Sequence, residues 1–168
     1  LHIEESLQTS EKALDLYFFE EGRFFDYRKD FRRSHISMEN YEIFSENAFK
    51  ALLAKSPDSL EKIDSCIDLI GKIHYGNKPA TIMRAMNFTG EIAHRLYRYN
   101  LLDADFYRFQ DVLQANVLSA ETFKEVKTVI HVYYSDLIAD INSRSRTGRK
   151  TMTEQVKSYI RENYMNEL

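Results

Sequence analysis

Residues 123–141 read FKEVKTVIHVYYSDLIADI, and this stretch decides the fold. Its apolar side chains recur at intervals of three, four, three and four residues, which places them on one face of an α-helix. They are Phe123, Val126, Ile130, Tyr133 and Leu137. A helix with such a face buries it against neighbouring helices. Tyr134 widens the face, so the same five residues are also candidates for a seam between two copies of the chain.

The preceding residues carry the same helical spacing. Four further helices are predicted. The first covers Met38 to Lys55, and the second follows Ser56-Pro57 and has its apolar residues between Leu60 and Ile70. The third runs from Asn77 and Pro79 to Asn100, and the fourth covers Asp103 to Gln114. Their apolar stripes include Tyr41, Phe44, Ala48, Phe49 and Leu52 in the first, and Ile82, Met86, Ala93 and Leu96 in the third. Short connections between such helices predict an all-α helical bundle over residues 37–142. With the two ends included, the expected number of helices is five to seven.

Residues 1–36 form a connector of different composition. One helix is expected from Leu1 to Phe19, and the run from Tyr17 to Phe31 then contains seven aromatic residues. Gly22 marks a turn, and Arg23 to Phe31 can form a short extended aromatic segment. The run suits a flap over one end of the bundle. A nucleic-acid stacking surface is the alternative, with the bases Arg23, Arg28, Lys29, Arg32 and Arg33, although the adjacent acids Glu20, Glu21, Asp26 and Asp30 disfavour it.

A basic linker is predicted over residues 143–152, because polar and small residues accompany four bases there without any acid. The bases are Arg144, Arg146, Arg149 and Lys150, which are candidate contacts to DNA phosphates and equally suited to keeping a tether soluble. Residues 153–168 then form one more helix, with Thr153 as its cap. Its apolar stripe is formed by Val156, Tyr159, Ile160 and Tyr164.

Composition narrows the class of protein. The chain has 168 residues, of which 5 are Gly and 2 are Pro, which disfavours sandwiches, barrels and glycine-loop nucleotide folds. Its net charge of −3 disfavours a uniformly basic nucleic-acid coat. A single cysteine, Cys66, excludes an internal disulfide and suits a cytoplasmic location. No apolar run is long enough for a membrane span. Because the chain starts at Leu1, we expect a piece of a longer protein.

Candidate catalytic or metal-binding groups are scattered. The five histidines form no zinc-protease spacing, and Glu91-x-x-His94 has no second copy of the kind a di-iron bundle needs. His94 and His131 lie on predicted helices but are more typical of satisfied or exposed histidines, and Cys66 is more typical of a small core residue than of a nucleophile. We therefore predict no catalytic residues, no metal, no cofactor and no enzymatic activity.

The C-terminal run from Met152 to Leu168, MTEQVKSYIRENYMNEL, resembles the start of an AraC-type DNA-binding domain. The first helix of that domain carries Val, Tyr, Ile and Tyr where this chain has Val156, Tyr159, Ile160 and Tyr164, followed by a Leu at the place of Leu168. A second stretch, Glu11 to Gly22 (EKALDLYFFEEG), is similar to the segment that follows the receiver domain in YesN-type response regulators. The helices between 37 and 142, with the step LSAETF before the last one, resemble the variable helical linker of that family.

The resemblance implies a regulatory linker and dimerisation module of a two-component transcriptional regulator. Such a module transmits a signal from an upstream receiver, or another sensor domain, to a helix-turn-helix domain that this chain does not contain. The implied partners are a second copy of the chain and DNA, the latter through the missing domain. The alternative function is sensing of a small-molecule effector in an apolar pocket. That pocket would be lined by Met83, Met86, Phe106 and Tyr107.

Overall fold

The computed structural model describes residues 2–20, 38–99, 101–102 and 106–164, with side chains for residues 8, 10–20, 40–99, 101–102 and 110–143. Six α-helices make up nearly all of this part, and the prediction of an all-α helical bundle is confirmed. The helices are α1 (His2–Phe19), α2 (Met38–Leu53), α3 (Ser59–Ile73), α4 (Lys78–Arg98), α5 (Phe106–Ser119) and α6 (Phe123–Tyr164). The predicted extended segment from Arg23 to Phe31 lies outside the described residues.

Helix α3 lies at the centre of the bundle. It packs against α2, α4 and α6, while α5 packs between α4 and α6. The face of α3 toward the core carries Ile63, Cys66, Ile67 and Ile70, each no more than 1% exposed. Burying an aliphatic side chain of this size stabilises the fold by about 1.5–3 kcal/mol. The apolar residues whose spacing of three and four predicted this helix are therefore also the ones that stabilise its packing in the core.

Two helix starts follow directly from local sequence. Asn77 caps α4, since its side-chain oxygen accepts a hydrogen bond from the backbone N–H of Ala80 at 3.0 Å, and a proline lies in the first turn. At α6 the hydroxyl of Thr122 accepts from the N–H of Glu125 at 3.2 Å, and the Glu125 carboxylate accepts from the N–H of Glu121 at 2.8 Å. The first contact satisfies one of the N–H groups that a helix start leaves open, and the second ties the residue before the cap to the first turn.

Three local predictions need correction. Helix α3 begins at Ser59, because Ser56 and Pro57 form a turn in which the Ser56 hydroxyl donates to the Asp58 side chain. Phe44 is 42% exposed rather than buried, since α2 turns its Tyr41, Ala48 and Leu52 face to the core. A glycine inside a predicted helix, as at Gly90, predicts a close packing contact or a bend, but a Cβ atom at this position would meet only the Gln110 amide at 3.9 Å, so no close packing contact is present.

The predicted linker over residues 143–152 is helical, and the prediction of a break at this point was wrong. Helix α6 runs without interruption from Phe123 to Tyr164. Its first half is anchored in the core, so the following residues extend an existing helix and need no new nucleation. Arginine and lysine are good helix formers, and Gly148 costs only about 1 kcal/mol in a helix that contains no proline.

Candidate functional site

The first half of α6 is held in the core by the face that identified it. Val126 and Ile130 are fully buried, Tyr134 is 1% exposed and Leu137 is 7% exposed. Phe123 and Tyr133 are partly buried and pack against the same core. The predicted dimer seam over Phe123, Val126, Ile130, Tyr133 and Leu137 is therefore wrong. A helical face of this width is buried within one chain when α3 and α5 both pack against it.

Phe123, at the start of α6, meets the end of α1. Its ring centroid lies 5.7 Å from that of Phe19 and 6.2 Å from that of Phe18, and Phe19 also contacts Tyr75 at 5.0 Å. Phe18 is 1% exposed. These two residues of the aromatic run pack on one end of the bundle, as the flap interpretation expects of them. The other part of the aromatic run lies outside the described residues, namely Phe24, Phe25, Tyr27 and Phe31. The five bases of the alternative nucleic-acid stacking surface lie outside them as well.

The ring of Phe123 also packs against Gly71 of α3. A Cβ atom built on Gly71 would lie within 3.0 Å of three atoms of that ring. Helices α3 and α6 thus approach closely at a point where only glycine fits. The apolar spacing of α3 does not predict a role for Gly71, although a glycine within a strongly amphipathic helix is the signal that could have found it.

An ion pair and a histidine–carboxylate hydrogen bond join α3 and α6 on the surface beside this contact. The Lys127 ammonium lies 2.6 Å from an oxygen of Asp68, and Nδ1 of His131 lies 2.9 Å from an oxygen of Asp64. Along α3 the two acids are four residues apart, and along α6 their partners are four residues apart in the opposite order, because the two helices are antiparallel. All four side chains are 35–49% exposed, so each pair contributes only about 0–1 kcal/mol and mainly fixes the register of α6 on α3.

A buried polar network connects α6 with α5 and α4. The Tyr133 hydroxyl donates to the side-chain oxygen of Gln110 at 3.2 Å, and the Gln110 amide donates to the Thr89 hydroxyl at 3.5 Å. The Tyr134 hydroxyl donates to the Thr89 carbonyl at 3.5 Å. Burial raises the pKa of both tyrosines above the usual value of 10.0. Both phenols therefore stay neutral and act as hydrogen-bond donors.

The predicted phosphate-contacting residues lie on the second half of α6. In the register of a helix, Arg146, Arg149 and Lys150 are three and four residues apart and share one face, whereas Arg144 falls on the opposite side. Their side chains lie outside the described part. The segment with Val156, Tyr159, Ile160 and Tyr164 belongs to the same continuous helix.

A polar groove of about 380 Å³ lies between α2 and α4. Two of its lining residues meet where the Arg84 guanidinium stacks over the Tyr41 ring, 3.9 Å from the ring centroid. At its other end Arg95 stacks over Phe49 at 3.5 Å and binds an oxygen of Glu46 at 2.8 Å. The sequence analysis placed Tyr41 in the core and did not assign Arg84 or Arg95 to a site. Arg84, Glu91 and Arg95 follow one another at intervals of seven and four along α4, which is the signal that could have found this charged stripe.

The two methionines of the predicted apolar effector pocket differ in exposure. Met83 is 62% exposed, whereas Met86 is partly buried and packs against the core. The predicted effector pocket therefore stays a prediction. The side chains of Phe106 and Tyr107 lie outside the described residues.

The remaining reactive groups are arranged as structural ones. Cys66 is fully buried, and burial raises the pKa of its thiol to about 12, so it carries no thiolate. His131 pairs with Asp64, and His94 is exposed. Within the described ranges no three His, Cys, Asp or Glu side chains are grouped as a metal would require. None of the described helices combines the length and apolar character of a membrane span.

The comparisons with known proteins do not assign a family. No family model, no curated protein and no solved structure matches the chain. The site is therefore characterised by two features of its own, the continuous helix α6 and the α2–α4 groove.

Proposed function

We propose that this chain is the regulatory and dimerisation module of an AraC-type transcriptional regulator of the two-component kind. One observation carries the proposal. Helix α6 begins in the core of the bundle and continues into the segment around Val156 and Tyr159 that resembles the first helix of the DNA-binding domain. A change in how α6 packs on α3 is then carried along the helix to the domain that reads DNA.

The length and stiffness of α6 suit this role. From Ile141, the last buried residue of α6 in the described part, to Tyr164 the helix spans 23 residues, or about 35 Å at 1.5 Å per residue. A flexible tether of the same length would lose any rotation or shift made at the bundle. A continuous helix preserves both.

Contacts at the start of α6 supply the input. In the resemblance, the region of α1 follows an upstream receiver or other sensor domain. The end of α1 touches the first residue of α6 through Phe18 and Phe19 against Phe123. A displacement of α1 therefore acts on α6 directly. The surface contacts of Asp64 with His131 and of Asp68 with Lys127 favour one register of α6 on α3.

The output in this proposal is a DNA-bound homodimer. Arg146, Arg149 and Lys150 share one face of α6 just before the DNA-binding segment, where they would add phosphate contacts without sequence selectivity. The dimer is formed by surfaces other than the buried face of α6. Light-scattering mass of the 168-residue chain should approach twice 19.9 kDa as its concentration rises. A light-scattering mass equal to that of one chain at every concentration would contradict the proposed dimer.

A chimera tests the proposed function. The full chain is joined to a complete AraC-type DNA-binding domain, aligned on Val156, Tyr159 and Ile160. We expect it to bind an operator with two half-sites at least ~10-fold more tightly than the same domain alone, because linked domains bind the second half-site at high effective concentration. Equal binding by the chimera and the isolated domain would contradict the proposal.

A matched pair of variants in the chimera separates the effect of helix continuity in α6 from the effect of the positive charge at Arg146. Arg146→Pro interrupts α6, whereas Arg146→Ala removes the same charge and keeps the helix. The proposal predicts that Arg146→Pro abolishes the gain in operator affinity and that Arg146→Ala retains most of it. Equal affinities of the two variants would show that α6 does not act as a rigid connection.

A further inference from the structure

The groove between α2 and α4 contains two buried polar atoms without a hydrogen-bond partner. They are the hydroxyl oxygen of Tyr41 and Nε of Arg84. Tyr41 is only 3% exposed, and the Ser45 side chain lies one turn further along α2 and lines the same groove. Leaving such groups buried and unpaired costs about 1–3 kcal/mol each. In folded proteins nearly all buried polar groups are paired, so two adjacent unpaired groups in one groove indicate a ligand.

The charges of the groove indicate the chemistry of that ligand. Arg95 is already neutralised by Glu46 at 2.8 Å. Within the described residues Arg84 and Glu91 form no ion pair, although both line the groove. Among the described residues that line the groove, the Arg84 guanidinium and the carboxylates of Glu42 and Glu91 therefore remain outside any ion pair. A guanidinium whose plane is set by stacking on Tyr41 presents its N–H groups to a carboxylate, and Glu91 is suited to an ammonium group.

We propose that this groove binds a small zwitterion of the α-amino-acid class. Its carboxylate pairs with Arg84 and accepts a hydrogen bond from the Tyr41 hydroxyl, and its ammonium pairs with Glu91. Because Arg84 is held by stacking and by no ion pair within the described residues, its guanidinium can shift to admit the carboxylate. A plain anion is disfavoured, since Glu42 and Glu91 also line the groove. The inference is independent of the function proposed for α6.

Thermal unfolding and calorimetric titration of the full chain test this assignment. The probes are the twenty L-amino acids, with acetate, methylamine and inorganic phosphate as controls that carry only one of the two charges. We expect at least one amino acid to raise the melting temperature and to saturate, because a ligand that binds only the folded state stabilises it. No response to any amino acid would overturn the proposal. A response to acetate, methylamine or phosphate as large as that to the amino acids would overturn the assignment to a zwitterion.

Variants locate the binding. Arg84→Gln and Glu91→Gln should each weaken the responding amino acid by about tenfold or more, since each removes one charge-assisted contact. Tyr41→Phe should also weaken it while leaving the ligand-free chain at least as stable, because it removes an unpaired buried hydroxyl. Arg98→Gln, on an exposed residue of the same helix, is the matched control and should leave binding unchanged. Unchanged affinity in Arg84→Gln and Glu91→Gln would place the ligand elsewhere and overturn the proposal.

Discussion

The ring of Phe123 occupies the space that a side chain at position 71 would need, and this contact brings α6 against α3. Three ring atoms lie within 3.0 Å of the place where a Cβ atom of residue 71 would be. The same ring contacts Phe18 and Phe19 of α1. One aromatic residue at the start of α6 therefore joins three helices.

Gly71→Ala should destabilise the fold despite the better helix propensity of alanine. Overpacking at such a contact costs about 1–3 kcal/mol of stability. The better helix propensity of alanine returns about 1 kcal/mol, which offsets the cost only at the low end of that range. Gly90→Ala is the control, because its Cβ atom would meet only Gln110 at 3.9 Å, and it should stabilise by about 1 kcal/mol. Urea unfolding of both variants measures the difference. Equal stabilisation by the two alanines would contradict the close contact.

Ile130→Ala should lower the free energy of unfolding by about 2–5 kcal/mol, because it leaves a cavity where a fully buried side chain packs. Val132→Ala, at a position that is 52% exposed on the same helix, should change it by no more than about 0.5 kcal/mol. Thermal or denaturant unfolding reports both. A fully stable Ile130→Ala chain that dissociates from a dimer instead would restore the discarded seam.

His74 should make the fold sensitive to mild acid. Burial, aided by the nearby Arg84 charge, lowers the pKa of its imidazole below the ordinary 6.5. The unfolded chain then takes up a proton that the folded chain binds less well. The stability that the fold has with a neutral His74 is therefore fully present above pH 6.5. It is lost as the pH falls through 6.5 toward the lowered pKa of the folded chain.

Melting temperatures between about pH 7.5 and pH 5.5 measure this effect, because the window brackets the ordinary histidine pKa. In His74→Gln the decline toward acid should be shallower than in the unmodified chain. His94→Gln, at an exposed histidine, is the control and should keep the original profile. A decline that His74→Gln does not alter would contradict the assignment. Glu46 and Asp58 do not interfere, since their pKa values are lowered from 4.5 and 3.8.

Much of the bundle could be predicted from periodicity alone. Spacing of three and four residues placed Val126 and Ile130 in the core and identified the helices, because burial of an amphipathic face is what stabilises each of them. The start of α4 followed from Asn77, whose side chain caps the helix. These features depend on residues close together in sequence.

The errors arose where the outcome depends on distant residues. Whether the face of α6 packs inside one chain or between two depends on where α3 and α5 lie, which periodicity does not specify. The helix through 143–152 depends on its anchored first half more than on local composition. The groove depends on Tyr41 and Arg84, 43 positions apart in the sequence, whose stacking only the tertiary fold reveals.

Transmission through α6 requires one continuous helix, and a distance between two spin labels measures that continuity. Asp136→Cys and Glu162→Cys place the labels 26 residues apart on α6, and Cys66 stays unlabelled because it is fully buried. A continuous helix predicts one narrow distribution near about 40 Å at 1.5 Å per residue. Adding Arg146→Pro should broaden it. A broad distribution centred on shorter distances in the chain without that proline would contradict the account.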